Sequence, residues 1–465
     1  MPVHFLLNGE LRAEQGIPPS TTVLDYLRGH ARLTGTKEGC AEGDCGACTI
    51  VVARARDGKM QYEAVNSCLM LLPQLDGTAV TTVEGLASNG ELHPVQKALV
   101  ETDGTQCGFC TPGFVMALYA FQQGGEPVET ERLHDALAGN LCRCTGYKAI
   151  VAAAHAAAGV KQRVEAVRDV PSNGDYRCAG QTVWMPGTLD ELVKLRADHP
   201  DAVLIAGATD IGLKASKDRE QFPKVILTGT VQDMRSVAVR DGALEIAGAA
   251  TYTMALPLIE QHFPSFAALI RRIGSRQIRN LGTLAGNMQT ASPIGDTPPC
   301  LFALGAEVTL ASRAGKRTLP VEQFITGYRK TALKPDEVIA SIRIPLLSDG
   351  TQFTAYKLSK RFDQDISTVV AAFTLKAHGD KVVSLRAVYG GMAATTKRAT
   401  SVERALTGKP WTAASLAKID EAVAQDFQPL TDFRGSAAYR LRAAVGLIRR
   451  LQIETTTDAI KLEAL

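Results

Sequence analysis

The sequence predicts a multidomain α+β protein, and three observations carry that reading. The chain has 465 residues, and at about 150 residues per domain it should hold about three domains, each large enough to fold without covalent staples. Eight of its ten cysteines fall before residue 145, so the N-terminal third differs in kind from the rest. After Pro345 strand-like runs are followed by helix-like runs, the order of an α+β domain.

Charge and composition narrow the classes. Fifty-one Lys and Arg against 48 Asp and Glu leave a net charge of +3, too balanced to indicate a nucleic-acid or membrane-surface protein. With 45% apolar and 21% charged residues the chain reads as ordered and soluble. The Ala-rich run from Ile150 to Val160 is too short to span a bilayer. The N-terminal MPVHFLLNGELRAEQG has no basic region and no small-residue cleavage site, so a cytoplasmic location is expected.

In chain order, VHFLLNGELR should form a hairpin turning at Asn8-Gly9, and STTVLDYLRGH a helix opened by Ser20 or Thr21. Between them and a later strand lies GCAEGDCGAC, which supplies Cys40, Cys45 and Cys48, with Cys68 following. This C-x4-C-x2-C…C spacing is that of a plant-type 2Fe-2S ferredoxin. Gly39, Gly43 and Gly46 should permit the positive φ angles of a tight loop whose amides face the cluster sulfurs.

A second set is CGFC, giving Cys107 and Cys110, and CRC, giving Cys142 and Cys144. Thr111 should cap, and Pro112 begin, the helix TPGFVMALYAF. A second helix, ETERLHDAL, should end near Gly139, so two helices joined by QQGGEP bring both cysteine pairs to one end of a bundle. Four thiolates there could close a zinc site as readily as an iron-sulfur site. The redox loop beside them favours a second cluster. Cys178 and Cys300 have no neighbouring ligands and read as small buried hydrophobes.

From Lys161 to Arg177 apolar periodicity is lost, as in a linker. Leu189 to Leu195 then look helical, and the strand VLIAG runs into GATDIG, where Gly207, Ala208, Thr209 and Asp210 offer the small side chains and free amides that a diphosphate needs. A second small-residue stretch, Ile278 to Pro299, is expected as a loop, with Asp296 free to accept from a ribose or ribityl hydroxyl. Standing alone, it would read rather as a polar surface connection. Lys357 could face a flavin ring or phosphate, although a Lys on a strand edge is commonly just solvated. No phosphate-binding G-x-x-x-x-G-K-[ST], G-x-G-x-x-G after a strand, H-E-x-x-H or G-x-S-x-G is present.

The order of these motifs, GCAEGDCGAC with Cys68, CGFC with CRC, LIAGATDI and GTLAGN…ASPIGD, resembles the iron-sulfur/FAD subunits of bacterial two-subunit xanthine dehydrogenases in the molybdenum hydroxylase family. The resemblance spans essentially the whole chain. It implies a β-grasp 2Fe-2S ferredoxin domain (1–84), a helical 2Fe-2S bundle domain (85–160), a linker (161–175), a vanillyl-alcohol-oxidase-type FAD domain (176–346) and a C-terminal α+β domain (347–465). FAD contacts would come from Leu204, Ile205, Ala206, Gly207, Ala208, Thr209, Asp210, Ile211, Ile273, Thr283, Asn287, Asp296, Ile339 and Lys357. Thr283 and Ala285 stand where the family often has Ser and Gly. Gln106 would reach toward a molybdopterin held by a separate large subunit. No catalytic residue for substrate oxidation is then expected in this chain.

The resemblance further implies a heterotetramer with two copies of each subunit. Electrons would pass from molybdopterin through the two 2Fe-2S clusters to FAD and on to NAD, as hypoxanthine becomes xanthine and xanthine becomes urate. Three other readings stay open: the equivalent subunit of an aldehyde or N-heterocycle hydroxylase, a flavin reductase fused to a ferredoxin, and a zinc-stapled scaffold without redox function. The R-x-Y-S motif of ferredoxin reductases is absent.

Overall fold

A computed structural model of the protein describes residues 1–56, 58–158, 170, 172 and 174–456. Two compact units result, Met1–Gln232 with Gly274–Gly282, and Asp233–Ile273 with Thr283–Leu465.

In the first unit, β1 (Val3–Leu7) and β2 (Glu10–Glu14) form the expected hairpin, Leu7 opposite Glu10. Asn8 and Gly9 both take positive φ, 52° and 90°, the conformation whose twist suits a two-residue hairpin turn. Along β1 alternate residues Val3, Phe5 and Leu7 are buried, as a half-buried strand requires. With β3 (Thr49–Arg56), β4 (Lys59–Asn66) and β5 (Thr78–Thr81) the sheet order is β2-β1-β5-β3-β4, β1 running parallel to β5. Helix Val23–Asp25 continues as a wider turn over Tyr26–His30. Its cap is Thr22, not Ser20 or Thr21: the Thr22 hydroxyl accepts from the Asp25 N–H at 3.0 Å.

Helices Pro94–Glu101, Thr111–Gln123, Thr130–Leu137 and Lys148–Ala156 follow. Thr111 lies inside its helix rather than capping it; the residue before it is Cys110, and the Thr111 hydroxyl meets that of Thr105 at 2.7 Å. The helix is buried from Gly113 to Phe121, as one apolar on every side should be.

Most of the expected linker 161–175 lies outside the described residues, and its last member, Asp175, opens β6 (Asp175–Cys178). With β7 (Gln181–Trp184), β8 (Val203–Ile205) and β9 (Lys224–Leu227), it forms a sheet of order β6-β7-β9-β8. β7 and β8 both run parallel to β9. Helix Leu189–Asp198 opens with a capping box of Thr188 and Glu191. Cys178 is only half-buried, whereas Cys300, in the second unit, is fully buried.

The second unit contains a five-stranded antiparallel sheet, in spatial order Val237–Arg240, Ala243–Ala247, Val338–Pro345, Glu307–Ser312 and Gly315–Pro320. A four-stranded sheet of Thr351–Leu358, Val369–His378, Lys381–Gly390 and Lys397–Arg398 is joined by the long helix Ala437–Thr456. The stretch expected as a loop is mostly helical, with helices at Leu284–Thr290 and Thr297–Ala303. Thr283 caps the first, and Pro298 and Pro299 sit in the opening turn of the second, where a missing N–H costs nothing. Among the described residues no helix is long and apolar enough to cross a membrane.

Candidate functional site

The sharp loop of residues 40–48 is built by local backbone geometry. Ala41, Gly43 and Gly46 take positive φ, 53°, 80° and 68°; Gly39 does not. Gly39 is required for space instead, since a Cβ there would lie 2.7 Å from Cys45 Sγ. The loop turns its amides onto sulfur: the N–H groups of Glu42, Asp44 and Cys45 donate to Cys40 Sγ at 3.4, 3.4 and 3.3 Å, and that of Cys40 to Cys45 Sγ at 3.3 Å. Cys48 and Cys68 are in thiol-to-thiol contact and buried among Leu24 and Leu69, with Leu213 and Ile278 against them.

In the helical part, Cys144 Sγ and Cys107 Sγ are 3.6 Å apart, and Cys110 contacts Cys142. The eight thiols therefore meet as four pairs. In each pair one sulfur is driven down and its partner up. Cys40 falls to about 5, chiefly because the Cys45 thiol donates to it, with the loop amides assisting against burial; Cys45 rises. Cys48 is lowered by the bond from Cys68, which rises. Cys107 is lowered by the Phe109 N–H and then by the Cys144 thiol, and Cys144 rises. Burial raises Cys110 to about 12. For Cys142 burial opposes ionisation, but the hydroxyl and N–H of Thr145 outweigh it.

In each pair the contact between the two sulfurs favours ionisation of one and opposes it in the other, and binding of metal would expel the thiol protons that remain. Two thiolates on one tetrahedral metal at about 2.3 Å stand roughly 3.8 Å apart, close to the spacing of Cys107 and Cys144. Pairs suit a core of two irons, each taking two thiolates. Among the described residues no three or more His, Cys, Asp or Glu have the spacing of a single ion's ligand shell.

The residues expected to contact flavin are divided between the units. Leu204 to Ile211 belong to the first. Val203–Ile205 ends at a turn in which Ala208 has φ 62°. Among the described residues the N–H groups of Gly207 to Ile211 donate to no protein atom, and such a run of unused amides suits an anion. Gly207 is fixed by close packing: a Cβ there would lie 1.8 Å from the Leu281 carbonyl oxygen.

Ile273, Thr283, Asn287, Asp296, Ile339 and Lys357 belong to the second unit. Asp296, expected from sequence to be free, is engaged at both oxygens; Lys357 Nζ donates to its Oδ2 at 2.6 Å and Ser367 Oγ to its Oδ1 at 2.5 Å. Nor is Lys357 a solvated edge residue, its side chain being only 2% exposed. Asn287 Oδ1 accepts from Thr297 at 2.6 Å. Ile339 is buried, Ile273 half-buried and Gln106 exposed beside Cys107. Ser367 was missed by sequence reasoning, and no local motif marks it.

Four protein families match the chain in succession. Residues 5–72 match the 2Fe-2S iron-sulfur cluster binding domain and residues 82–155 the [2Fe-2S] binding domain. Residues 177–347 match the FAD binding domain in molybdopterin dehydrogenase and residues 354–455 the CO dehydrogenase flavoprotein C-terminal domain. Among curated proteins, xanthine dehydrogenase of Emericella nidulans is 34% identical, over 96% of this chain and 38% of that protein. Xanthine dehydrogenase/oxidase of Gallus gallus is 32% identical, over 88% and 36%. The chain spans a little over a third of these relatives. Among solved structures, carbon monoxide dehydrogenase of Hydrogenophaga pseudoflava aligns with TM-score 0.55 and 26% identity, over 58% of this chain and 94% of that one. Quinoline 2-oxidoreductase of Pseudomonas putida 86 aligns with TM-score 0.53 and 25% identity, over 58% of this chain and 94% of that one.

Proposed function

Since the chain belongs to the iron-sulfur/FAD members of the molybdenum hydroxylase family, we propose that it is the electron-carrying half of a xanthine dehydrogenase whose molybdopterin lies on a separate large subunit. The observation that carries this reading is the meeting of eight thiols as four pairs. Cys40, Cys45, Cys48 and Cys68 would hold one 2Fe-2S cluster, and Cys107, Cys110, Cys142 and Cys144 a second. Leu204 to Ile211 would take the FAD diphosphate on unused amides, with Ile273, Thr283, Asn287, Asp296, Ile339 and Lys357 completing the flavin contacts. When bound, the clusters supply one-electron transfer and FAD supplies the junction between single electrons and hydride transfer to NAD.

The chain's own residues set the conditions for that chemistry. Amides of Glu42, Asp44 and Cys45 stabilise negative charge on Cys40, and such bonds tune a cluster's potential. Leu24, Leu69, Leu213 and Ile278 exclude water from Cys48 and Cys68. Gln106, exposed beside Cys107, would face the large subunit, and the assembly would contain two copies of each chain.

The test is analysis of the purified full chain for iron, acid-labile sulfide and flavin, with an optical spectrum, followed by dye reduction with NADH. Four irons, four sulfides, one FAD and no xanthine oxidation without the large subunit are expected. A colourless zinc protein would refute the reading, and so would purine turnover by the chain alone. The structural likeness to quinoline 2-oxidoreductase supports a second reading, a hydroxylase of another N-heterocycle or of an aldehyde. Assay of the complex copurified from its host with hypoxanthine, xanthine, quinoline and an aldehyde separates the two.

A further inference from the structure

The segment Gly274–Gly282 lies in the first unit although the residues before and after it lie in the second. Its polar side chains are buried: Ser275 and Gln277 are 0% exposed, Arg279 3% and Asn280 5%. Burying so many polar groups costs stability unless they are bonded; each of these side chains makes at least one hydrogen bond, although Gln277 Oε1 has no partner. Arg276 donates to Glu126 and Asp135, the latter at 2.9 Å, and Arg279 also pairs with Asp135, anchoring the segment to the helical part. Asn280 Nδ2 donates to the Ala64 carbonyl at 2.8 Å, anchoring it to β4.

Gln277 stands where the two thiol-bearing parts join. Its Nε2 donates to Asn140 Oδ1 at 2.9 Å and to Thr49 Oγ1 at 3.2 Å. Asn140 Nδ2 in turn donates to the Gly46 carbonyl at 3.0 Å, and the next N–H, of Leu141, to the Cys45 carbonyl at 3.0 Å. Two thiol ligands of opposite quartets, Cys45 and Cys142, thus flank one hydrogen bond. The approach depends on absent side chains: a Cβ on Gly46 would lie 2.1 Å from the Gly139 carbonyl oxygen, and one on Gly139 2.1 Å from Gln277 Oε1.

We propose that Gln277, acting through Asn140, is a positioning residue that holds the Cys45 loop against the Cys142 segment and thereby sets the rate of the electron step between the two sites. With both clusters bound, one electron would leave the cluster that Cys142 and its partners would hold and enter the one that Cys45 and its partners would hold, with no proton transferred. Gln277 touches neither sulfur set in any hydrogen bond described, so it acts only by geometry. The inference rests on the proposed function, because both quartets must hold clusters.

The experiment uses the full chain, loaded with iron and flavin, as wild type, Gln277→Leu and the milder Gln277→Asn. Electron equilibration between the clusters is followed after pulse reduction, and amide hydrogen exchange is read at Leu141. Gln277→Leu should leave both cluster EPR signals and iron content intact. It should raise Leu141 exchange about tenfold, equivalent to about 1.4 kcal/mol of local stability. It should slow the intercluster step about tenfold or more, as small misplacements do in positioned reactions. Gln277→Asn, which keeps the amide but withdraws it, should fall between. Unchanged exchange and rate with both clusters present would overturn the proposal, as would loss of iron in both variants, which would make Gln277 a folding residue. A wild-type chain that takes up no iron would instead overturn the proposed function.

Discussion

Lys357 and Asp296 form the most buried ion pair bearing on the proposed flavin site, with side chains 2% and 11% exposed and 2.6 Å between them. Lys357→Met keeps the aliphatic stem and removes the charge, leaving Asp296 with Ser367 as its remaining described side-chain partner. Removing one member of a buried pair typically costs 3–5 kcal/mol. The retained bond from Ser367, a hydroxyl donating to a charged oxygen, places the loss toward the lower end, about 3 kcal/mol. For a unit of about 150–250 residues, 1 kcal/mol moves Tm by about 2–4 °C, so the second unit should melt roughly 6–12 °C lower. Asp296→Asn should cost a similar amount, and the double variant less than the sum of the singles, because neutral partners avoid the penalty of an unpaired buried charge.

The chain offers a probe specific to this unit. Its two tryptophans are Trp184 and Trp411, and Trp411 is buried in the C-terminal core with Val402 and Leu406. In a Trp184→Phe background, tryptophan fluorescence reports the second unit alone. The reasoning fails if either single variant melts within about 2 °C of the parent, or if the two losses add without coupling. Raising salt should leave the coupling largely intact, since buried pairs are weakly screened.

Other expectations are equally direct. Cys48→Ser and Cys110→Ser should each remove about half of the iron and labile sulfide while leaving the other cluster's EPR signal; loss of all iron from either variant would contradict two separate sites. Gly207→Ala would put a methyl 1.8 Å from the Leu281 carbonyl oxygen, a backbone group with little freedom to yield. The variant should lose about 1–3 kcal/mol or more in urea unfolding and bind FAD more weakly. Glu337 is buried and held below its ordinary value of 4.5, chiefly by two bonds from Arg317 at 2.6 and 2.8 Å. Because the folded value is depressed, its stabilisation is complete above the ordinary carboxylate range and is lost as pH falls toward the lowered value. Glu337→Gln should therefore flatten the acid side of the stability profile, as measured by urea midpoints from pH 3 to pH 7 or so.

What could be read from sequence was local. A turn at Asn8-Gly9 and thiols at x4 and x2 gaps are fixed by a few consecutive residues, whose backbone has few ways to satisfy them. Short-range competition blurred other features. Ser20, Thr21 and Thr22 are all capable caps, and only the fit of Val23 and Leu24 into the core selects Thr22. The stretch around LAGNMQT looked like a loop because Gly, Asn and Thr are weak helix formers. It becomes helix Leu284–Thr290 through the Thr283 cap and the burial of Leu284, Ala285 and Met288.

Long-range polar pairing left no such trace. Asp296 meets Lys357 61 residues away and Ser367 71 residues away, while Gln277 meets Asn140 across 137 residues and Thr49 across 228. Neither arrangement has a period or a spacing, so residue type alone made Asp296 look available and Gln277 ordinary. The consequence is functional. The cysteine spacings specify what can be held, whereas these distant buried contacts specify how rigidly the holders are fixed. Substitutions at the cysteines should thus change cluster content, and substitutions at Gln277 should change a rate while cluster content persists.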